Sequence, residues 1–277
     1  MKRTEFANEL AEKFKKAMPS DVTISVETTK NRKILYLTTT DNKKIGVSVE
    51  QLQDIYNENG SLDDVVESVL ETYKNSLDIT KTLENFEDAK SKIHFALVNK
   101  NHRKFDENNN PHIAMEDLRL LLAIKLALGD NVITTFVTNG MLKSWNVTFE
   151  ELYKIAESNS KPSLFRLTDT FLGVSGSPIS YGAGELWGKE TTEALKNHFG
   201  DNGFYIIPSS VDELIAVDGD GVDLERIESI EQTIANVNGN KNLVTEKDYL
   251  SDKLYYFDYK TNKLMDAKKH YFVTNPS

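Results

Sequence analysis

The sequence predicts an α+β protein in which helices are interleaved with mostly antiparallel strands. Apolar residues recur at helical spacing in some segments and alternate in others, and short apolar runs are separated by turn-forming residues, as in hairpins. With 277 residues the chain is long enough for two modest domains. We therefore expect a small N-terminal helix-plus-meander part, residues 1–88, and a larger mixed part, residues 89–277.

The N-terminal part begins with an amphipathic helix, because Phe6, Leu10 and Phe14 recur at intervals of four residues. Three apolar runs then predict the strands of a meander: 22–26, 34–37 and 45–47. The pair Asp41-Asn42 predicts the turn between the second and third of these strands.

A more strongly patterned helix follows the meander. Ser61 and Asp64 form a start that resembles a capping box. The apolar residues behind it share one helix face, which we expect to pack on the meander: Leu62, Val65, Val66, Val69, Leu70 and Tyr73. The acidic residues spread over the other face and are expected to be exposed: Asp63, Asp64, Glu67 and Glu71.

The first half of the larger part combines strands with a capped helix. We predict strands at 93–98 and 132–137, and a helix that Thr148 caps with Glu151 at its third position. The segment 115–128 is ambiguous. Its length favours a helix, whereas its nearly continuous apolar run also suits a buried strand.

The second half begins with a helix that ends near residue 200. The run 204–217 then predicts two strands that meet at a Pro-Ser-Ser corner, residues 208–210. A long helix over 224–239 and a hairpin that turns at 260–262 follow.

Charge is unevenly distributed along the chain. The net charge is −10; residues 49–88 carry eleven acidic groups against two lysines, and residues 212–231 carry eight acidic groups against one arginine. Direct binding of duplex nucleic acid through its phosphates is therefore not expected. A partner protein with a basic surface suits such segments better.

Composition excludes several kinds of chemistry. The chain has no cysteine, which excludes disulfides, thiolate metal sites, iron–sulfur clusters and a cysteine nucleophile. The N-terminal segment lacks the apolar core of a secretory signal. The longest apolar stretch, 118–128, is too short to span a bilayer and is interrupted by Arg119 and Lys125. We expect a cytoplasmic protein without a membrane segment.

One segment approaches a phosphate-binding loop without matching it. Residues 184–191 contain two glycines and a lysine, but Ala183 stands where that loop needs glycine and Glu190 where it needs a hydroxyl. A glycine-rich start of a helix is the simpler interpretation, with Gly182 and Gly184 allowing the backbone to turn tightly.

Metal-binding patterns fail in a similar way. Residues 218–223 resemble half of a calcium loop, yet Ala216 and Ile227 occupy the positions of its first and last ligands. The five histidines show no metal-ligand spacing, and we expect His102 and His112 on the surface. No metal or other cofactor is expected.

Four short segments carry a family resemblance: 92–99, 145–152, 205–210 and 250–258. In order and spacing they resemble a domain-of-unknown-function family common in Firmicutes, especially gut Clostridia, and in their phages and mobile elements. The resemblance covers residues 5–260. It implies a mixed fold and a mobile-element context, but no reaction. Members often carry a histidine after the Ser-Ser corner, where this chain has Asp212, so no histidine-based site is implied there.

The corner between the two strands of 204–217 is the best candidate site. Ser209 and Ser210 place hydroxyls and backbone amides there, with Asp212 and Glu213 close by in sequence. A nucleophilic serine also needs a general base, and the glycine pattern of a nucleophile elbow is absent. Hydroxyls that bond to nearby backbone are the simpler interpretation.

Two functional hypotheses follow. The first is a non-catalytic interaction protein of a phage or mobile element that inhibits a host defence complex through its acidic surfaces. The candidate residues are on the helix that follows the meander: Asp63, Asp64, Glu67 and Glu71. The alternative is a small-molecule sensor or hydrolase that uses the corner formed by residues 209–213. A binding role is favoured over an enzyme, because the sequence shows no nucleophile–base pair, metal set or phosphate loop.

Overall fold

The computed structural model describes residues 3–20, 22–29, 32–39, 44–128, 131–161, 163–168, 170–176, 180–200 and 203–276. The chain divides into two compact units, residues 1–82 and 83–277. Helices accompany antiparallel sheets, which confirms the predicted α+β class. The division after Thr82 lies near the end of a long helix, whereas the sequence-based boundary lies after residue 88. Within the described ranges, no helix is both long and apolar enough to cross a membrane.

The N-terminal unit combines helices with a three-stranded antiparallel sheet. In chain order its elements are α1 (Arg3–Ala17), β1 (Thr23–Thr29), β2 (Arg32–Thr38), β3 (Lys44–Ser48), α2 (Val49–Asn59) and α3 (Leu62–Glu84). The strands pair in the order β1–β2–β3, so the predicted meander is confirmed. Its predicted turn at Asp41-Asn42 lies outside the described residues.

The apolar stripe of α3 belongs to the core of this unit, as predicted. Four of its residues are buried and two are partly buried against the same core: Val65, Val66, Val69 and Tyr73, then Leu62 and Leu70. Residues of α1, β2 and α2 belong to the same core: Phe6, Leu10, Phe14, Leu35, Leu37, Val49 and Leu52. α2 was not predicted, because Val49 also continues the alternation of Ile45 and Val47 in the third predicted strand.

The C-terminal unit holds the remaining elements. They are α4 (Phe86–Lys90), β4 (Ile93–Asn99), β5 (His112–Met115), β6 (Leu118–Leu128), β7 (Asn131–Phe136), α5 (Asn139–Trp145), α6 (Phe149–Asn159), β8 (Ser163–Arg166), β9 (Phe171–Ser175), a 3₁₀ helix (Gly182–Trp187), α7 (Lys189–Phe199), β10 (Phe204–Ser210), β11 (Glu213–Asp218), α8 (Leu224–Gly239), β12 (Tyr255–Asp258), β13 (Lys263–Asp266) and α9 (Ala267–Thr274). The predicted capping box of α6 is confirmed.

The ambiguous segment 115–128 is resolved as strand. β6 is the centre of a four-stranded antiparallel sheet and pairs with β4 on one side and with β5 and then β7 on the other. Most of its residues are buried, which explains the nearly continuous apolar run. The chain turns into β6 at Glu116, which has a positive φ of 53°.

A six-stranded antiparallel sheet has the strand order β13–β12–β10–β11–β9–β8. The sequence analysis missed β8 and β9, which are short. α8 packs on this sheet, where buried Ile227 shares a hydrophobic cluster with Tyr205 and Val217. The predicted hairpin near the C-terminus is confirmed as the β12–β13 pair.

The predicted Pro-Ser-Ser corner is shifted in the structure. β10 continues through Ser210, and the chain reverses at Val211 and Asp212 instead. The pairing of β10 with β11 changes register between Ile207 and Ser210. Such an irregularity accommodates Pro208, which has no N–H group to donate to a neighbouring strand.

Candidate functional site: a pocket between α8 and the six-stranded sheet

A pocket of about 570 Å³ lies between the six-stranded sheet and the second half of α8. Ile227, in the first turn of α8, is fully buried, whereas Val237, near the end of the helix, is 44% exposed. The helix thus covers the sheet closely at its start and incompletely at its end. The volume lies in the range typical of small-molecule sites, roughly 300–1,000 Å³.

The walls of the pocket are mainly apolar. The sheet supplies Phe171, Ile207, Pro208 and Ile215, and α8 supplies Ile230, Ile234 and Val237. Leu243 and Val244, in the segment after α8, complete the lining. Leu243 is 66% exposed, so an apolar side chain extends from the pocket to its rim. An apolar body of a ligand could be removed from water here.

One end of the pocket is polar and is formed by the β10–β11 hairpin. Ser209, Ser210 and Glu213 line it. The Ser209 hydroxyl donates a hydrogen bond of 2.8 Å to Glu213 Oε1. The irregular pairing between Ile207 and Ser210 is the local feature that accompanies this arrangement of side chains.

Several hydrogen-bond donors of the pocket are already engaged by the protein. The Thr233 hydroxyl donates to the Ser229 carbonyl at 3.0 Å. The Asn238 amide nitrogen donates to the Ser251 carbonyl at 3.0 Å and to Asp252 Oδ1 at 2.8 Å. Together with the Ser209–Glu213 bond, these contacts engage three of the polar side chains of the lining, and the hydroxyls of Ser210 and Ser229 line it as well.

Asp212 has a different role from its sequence neighbours. Its Oδ1 accepts a hydrogen bond of 2.7 Å from the backbone N–H of Tyr181, and it is not among the residues that line the pocket. The Asp212 N–H donates to Ser210 Oγ at 3.2 Å, which holds the turn. Of the predicted corner residues, Ser209, Ser210 and Glu213 thus meet at one pocket, whereas Asp212 holds the hairpin against the segment before the 3₁₀ helix.

The acidic candidates of α3 belong to the N-terminal unit. Asp63, Asp64, Glu67 and Glu71 are all exposed, as the pattern predicts. Asp63 forms an ion pair with Lys13 of α1. The four side chains form an acidic surface on α3 of the N-terminal unit, whereas the hairpin residues belong to the C-terminal unit.

A buried charge cluster lies elsewhere in the C-terminal unit. Lys125 Nζ on β6 is 3.1 Å from Glu185 Oε1 in the 3₁₀ helix, and His94 Nδ1 on β4 is 3.3 Å from the same oxygen. The Lys125 and Glu185 side chains are 1% and 2% exposed. Glu185 Oε2 makes no hydrogen bond to any residue that the structure describes.

The charges of this cluster stabilise each other against burial. Burial lowers the pKa of Lys125, and Glu185 partly opposes that effect. Burial alone would raise the pKa of Glu185, but His94 and Lys125 together hold that pKa below its usual value. The Lys125 and Glu185 side chains are almost completely buried and bond to each other, so the geometry fits a structural connection between β6 and the 3₁₀ helix.

The glycines of this helix serve close packing rather than the tight turn that the sequence predicts. A Cβ atom on Gly184 would lie 2.4 Å from the carbonyl carbon of Phe95 in β4, and one on Gly182 would lie 2.4 Å from the carbonyl oxygen of Asp212. Neither glycine has a positive φ. Only glycine lets the backbones approach this closely, which supports a structural role for the phosphate-loop-like segment.

The calcium-like segment caps a helix. Asp223 is the N-cap of α8, and its Oδ1 accepts a hydrogen bond of 2.8 Å from the Arg226 N–H. Among the described residues, no group of three or more acidic, histidine or cysteine side chains is placed to hold a metal ion. The turn therefore supports the start of the helix that roofs the pocket.

The expected surface position of His102 is wrong. His102 is buried, and its ring lies edge-on to Tyr181 at 5.9 Å between centroids and near Phe136 at 6.1 Å. Burial lowers the pKa of this histidine. His112 is partly buried on β5, where its Nδ1 is 2.8 Å from the Asn110 carbonyl oxygen. His102 therefore packs among aromatic rings instead of facing solvent.

Sequence reasoning missed most of the pocket. Ile230, Ile234 and Val237 were assignable to an apolar helix stripe, but that pattern does not show that the end of the stripe is incompletely covered. Phe171 lies on a strand that was not predicted. The Lys125–Glu185 pair had one sequence signal, a lysine inside an otherwise apolar run, which indicates a buried partner.

Comparison with known proteins identifies a family, but the function of that family is unknown. A family model described as "Family of unknown function (DUF5688)" matches residues 3–171 and 170–259. The match agrees with the resemblance to a family of unknown function. Neither a curated protein nor a solved structure matches the chain.

Proposed function

Since the chain belongs to this family of unknown function, we propose a function from the site itself: the protein binds a small amphipathic molecule in the pocket between α8 and the six-stranded sheet. The observation that carries the proposal is the combination of an apolar cavity of about 570 Å³ with a polar end at Ser209 and Glu213. An apolar enclosure with a few orienting polar groups is the usual form of a ligand site.

The same geometry supports binding rather than catalysis. Ser209 donates its hydroxyl hydrogen to Glu213, which is the only ionisable group of the described lining, so one carboxylate is all that the lining offers as a general base, with no histidine or lysine to assist it. The hairpin that carries both residues is part of a paired sheet, which makes it a rigid support. A sensor or carrier is therefore the role we propose for this site, and a hydrolase is the less supported alternative.

Binding of a neutral fluorescent probe tests this proposal. N-phenyl-1-naphthylamine becomes fluorescent in apolar pockets and carries no charge at neutral pH. Thr233, on the pocket side of α8, is exposed and can be enlarged to tryptophan without deleting core atoms. We expect the wild type to bind the probe and Thr233→Trp to weaken that binding by roughly tenfold or more, because the new ring occupies the cavity.

Gln232→Trp is the matched control, since Gln232 is the exposed neighbour of Thr233 and does not line the pocket. It adds the same ring to the same helix and should leave probe binding unchanged. Equal binding by the wild type and Thr233→Trp, or no binding by the wild type, would overturn the proposed site. Native mass spectrometry of the purified protein would identify a ligand that is retained from the cell.

A second candidate function rests on the acidic surface of α3. This surface consists of four exposed residues that are not part of the hydrophobic core: Asp63, Asp64, Glu67 and Glu71. Packing therefore does not explain why the acidic groups are concentrated there. We propose a basic protein as the partner of this surface. The phage and mobile-element context implied by the family resemblance makes a host defence complex the partner class to test.

Charge reversal tests this second function. Reversing Glu67 and Glu71 to lysine should abolish capture of a basic partner from host lysates, and capture by the wild type should weaken as salt is added. Reversing Glu225 and Glu228, which are exposed on α8, controls for the change in total charge. Unchanged capture after the α3 reversals would leave the acidic surface with a role in solubility alone.

A further inference from the structure

We infer that the ligand of this pocket carries a cationic head group, such as a protonated amine, which pairs with Glu213. This inference rests on the proposed function and adds the chemical class of the ligand. It predicts an amphiphile whose apolar body lies between Ile207 and Ile230 and whose head reaches the Ser209–Glu213 end.

The charge of the lining is the first observation. Among the described residues that line the pocket, Glu213 is the only ionisable one. A cation beside it would gain a charge-assisted hydrogen bond. An anionic head would meet the carboxylate with no basic side chain in the lining to compensate it, which disfavours fatty acids and phosphate esters.

The hydrogen-bond direction is the second observation, and it is independent of the first. The hydroxyls of Ser209 and Thr233 donate to Glu213 and to the Ser229 carbonyl, and the Asn238 amide donates away from the cavity to Ser251 and Asp252. A carboxylate that accepts one hydrogen bond has further acceptor sites. Glu213 thus has acceptor capacity left for a donating head group, while the other hydroxyls of the lining, those of Ser210 and Ser229, are uncharged.

The segment that carries Glu213 is acidic as a whole. Residues 212–231, which include β11 and the first half of α8, contain eight acidic groups and one arginine. An acidic segment that contributes to a cleft attracts cations and speeds their association.

A matched series of probes tests the inference on the full chain. Octylammonium, 1-octanol and octanoate share one apolar chain and differ in the head group. Calorimetric titration at neutral pH should give the affinity order octylammonium, then octanol, then octanoate, with roughly a tenfold or larger gap between the cation and the anion.

The variant Glu213→Gln isolates the charge. Glutamine keeps an oxygen that can accept the Ser209 hydroxyl but removes the negative charge. We expect it to weaken octylammonium binding roughly tenfold and to leave octanol binding within about twofold. Glu228→Gln removes a charge from the exposed face of α8 and should leave the affinity order unchanged.

The outcomes separate the two proposals. If the three octyl probes bind equally, or if Glu213→Gln does not change the affinity for octylammonium, the cation inference is overturned. The pocket itself is still supported if Thr233→Trp weakens binding of the neutral probe. Binding of octylammonium that is insensitive to Thr233→Trp would also overturn the cation inference, because that probe would then occupy another surface, whereas the pocket itself is decided by the neutral probe.

Discussion

The contact between Lys125 and Glu185 illustrates how much a single buried charge depends on its partner. Both side chains are almost completely buried, and their nearest oxygen and nitrogen are 3.1 Å apart. Removing one partner leaves the other charge in an apolar interior. We expect Lys125→Met to destabilise the C-terminal unit by about 3–5 kcal/mol in denaturant melts.

A double variant separates the cost of the lost pair from the cost of the stranded charge. Lys125→Met combined with Glu185→Leu removes both charges and keeps similar volumes. The double variant should recover most of the stability lost in Lys125→Met, since an apolar pair often replaces a buried ion pair at little cost. A double variant as unstable as the single one would show that packing, not charge, dominates at this contact.

The Lys125–Glu185 pair predicts that the folded protein loses stability as the pH falls. His94 and Lys125 hold the pKa of Glu185 below its usual value of 4.5 although burial opposes this. The unfolded chain then takes up protons before the folded one. The contribution of the Glu185 carboxylate to folding stability is complete above about pH 4.5. It is lost as the pH falls through the lower pKa that Glu185 has in the folded protein.

This acid dependence can be measured with the variants above. Between about pH 5 and pH 3, the wild type should lose stability more steeply than the Lys125→Met/Glu185→Leu double variant, which lacks the carboxylate. Denaturant midpoints at several pH values give the two slopes. Parallel slopes would mean that Glu185 does not titrate differently in the folded and unfolded states.

Substitutions on the two faces of α3 should affect folding stability to very different extents. Val69 is 1% exposed within the N-terminal core, whereas Glu67 is exposed. Val69→Ala should lower the free energy of unfolding by about 2 kcal/mol, because it removes buried methyl groups and leaves a cavity. Glu67→Lys should change it by no more than roughly 0.5 kcal/mol. Equal effects in chemical denaturation would mean that the helix face is assigned wrongly.

Elements with a strong local signal could be predicted from the sequence. The α3 stripe, the Thr148–Glu151 capping box and the β12–β13 hairpin each depend on residues close together in the chain. The short strands β8 and β9 lack such a signal: β8 pairs with the neighbouring β9, and β9 joins the sheet by pairing with the distant β11. Local pattern therefore predicted strongly patterned helices and hairpins better than it predicted short strands whose place depends on the sheet.

The candidate site was predictable only in part for the same reason. Ser209 and Glu213 stand four residues apart, so a hairpin could be expected to bring them together. The apolar walls come from β9, β10, β11 and α8, and the cavity exists because the end of α8 is incompletely covered. Nothing in a local pattern fixes how closely a helix packs along its length on a sheet.

The whole molecule consists of two units with their own cores, and this should appear in unfolding. The N-terminal core contains Val69, and the C-terminal unit contains Lys125. We expect calorimetry to show two transitions, because chains with separate cores need not unfold in one step. Val69→Ala should lower the temperature of one transition and Lys125→Met that of the other. A single transition lowered by both variants would show that the units unfold together.

The central claim is that ligand binding occurs between α8 and the six-stranded sheet, and methyl NMR of isoleucine-labelled protein tests it most directly. The cavity is lined by Ile207, Ile215, Ile230 and Ile234, whereas Ile93 and Ile124 lie in the other sheet of the same unit. During titration with N-phenyl-1-naphthylamine, we expect the methyl signals of the four cavity isoleucines to shift and those of Ile93 and Ile124 to stay unchanged. Shifts confined to isoleucines outside the cavity, or none at all, would contradict the account.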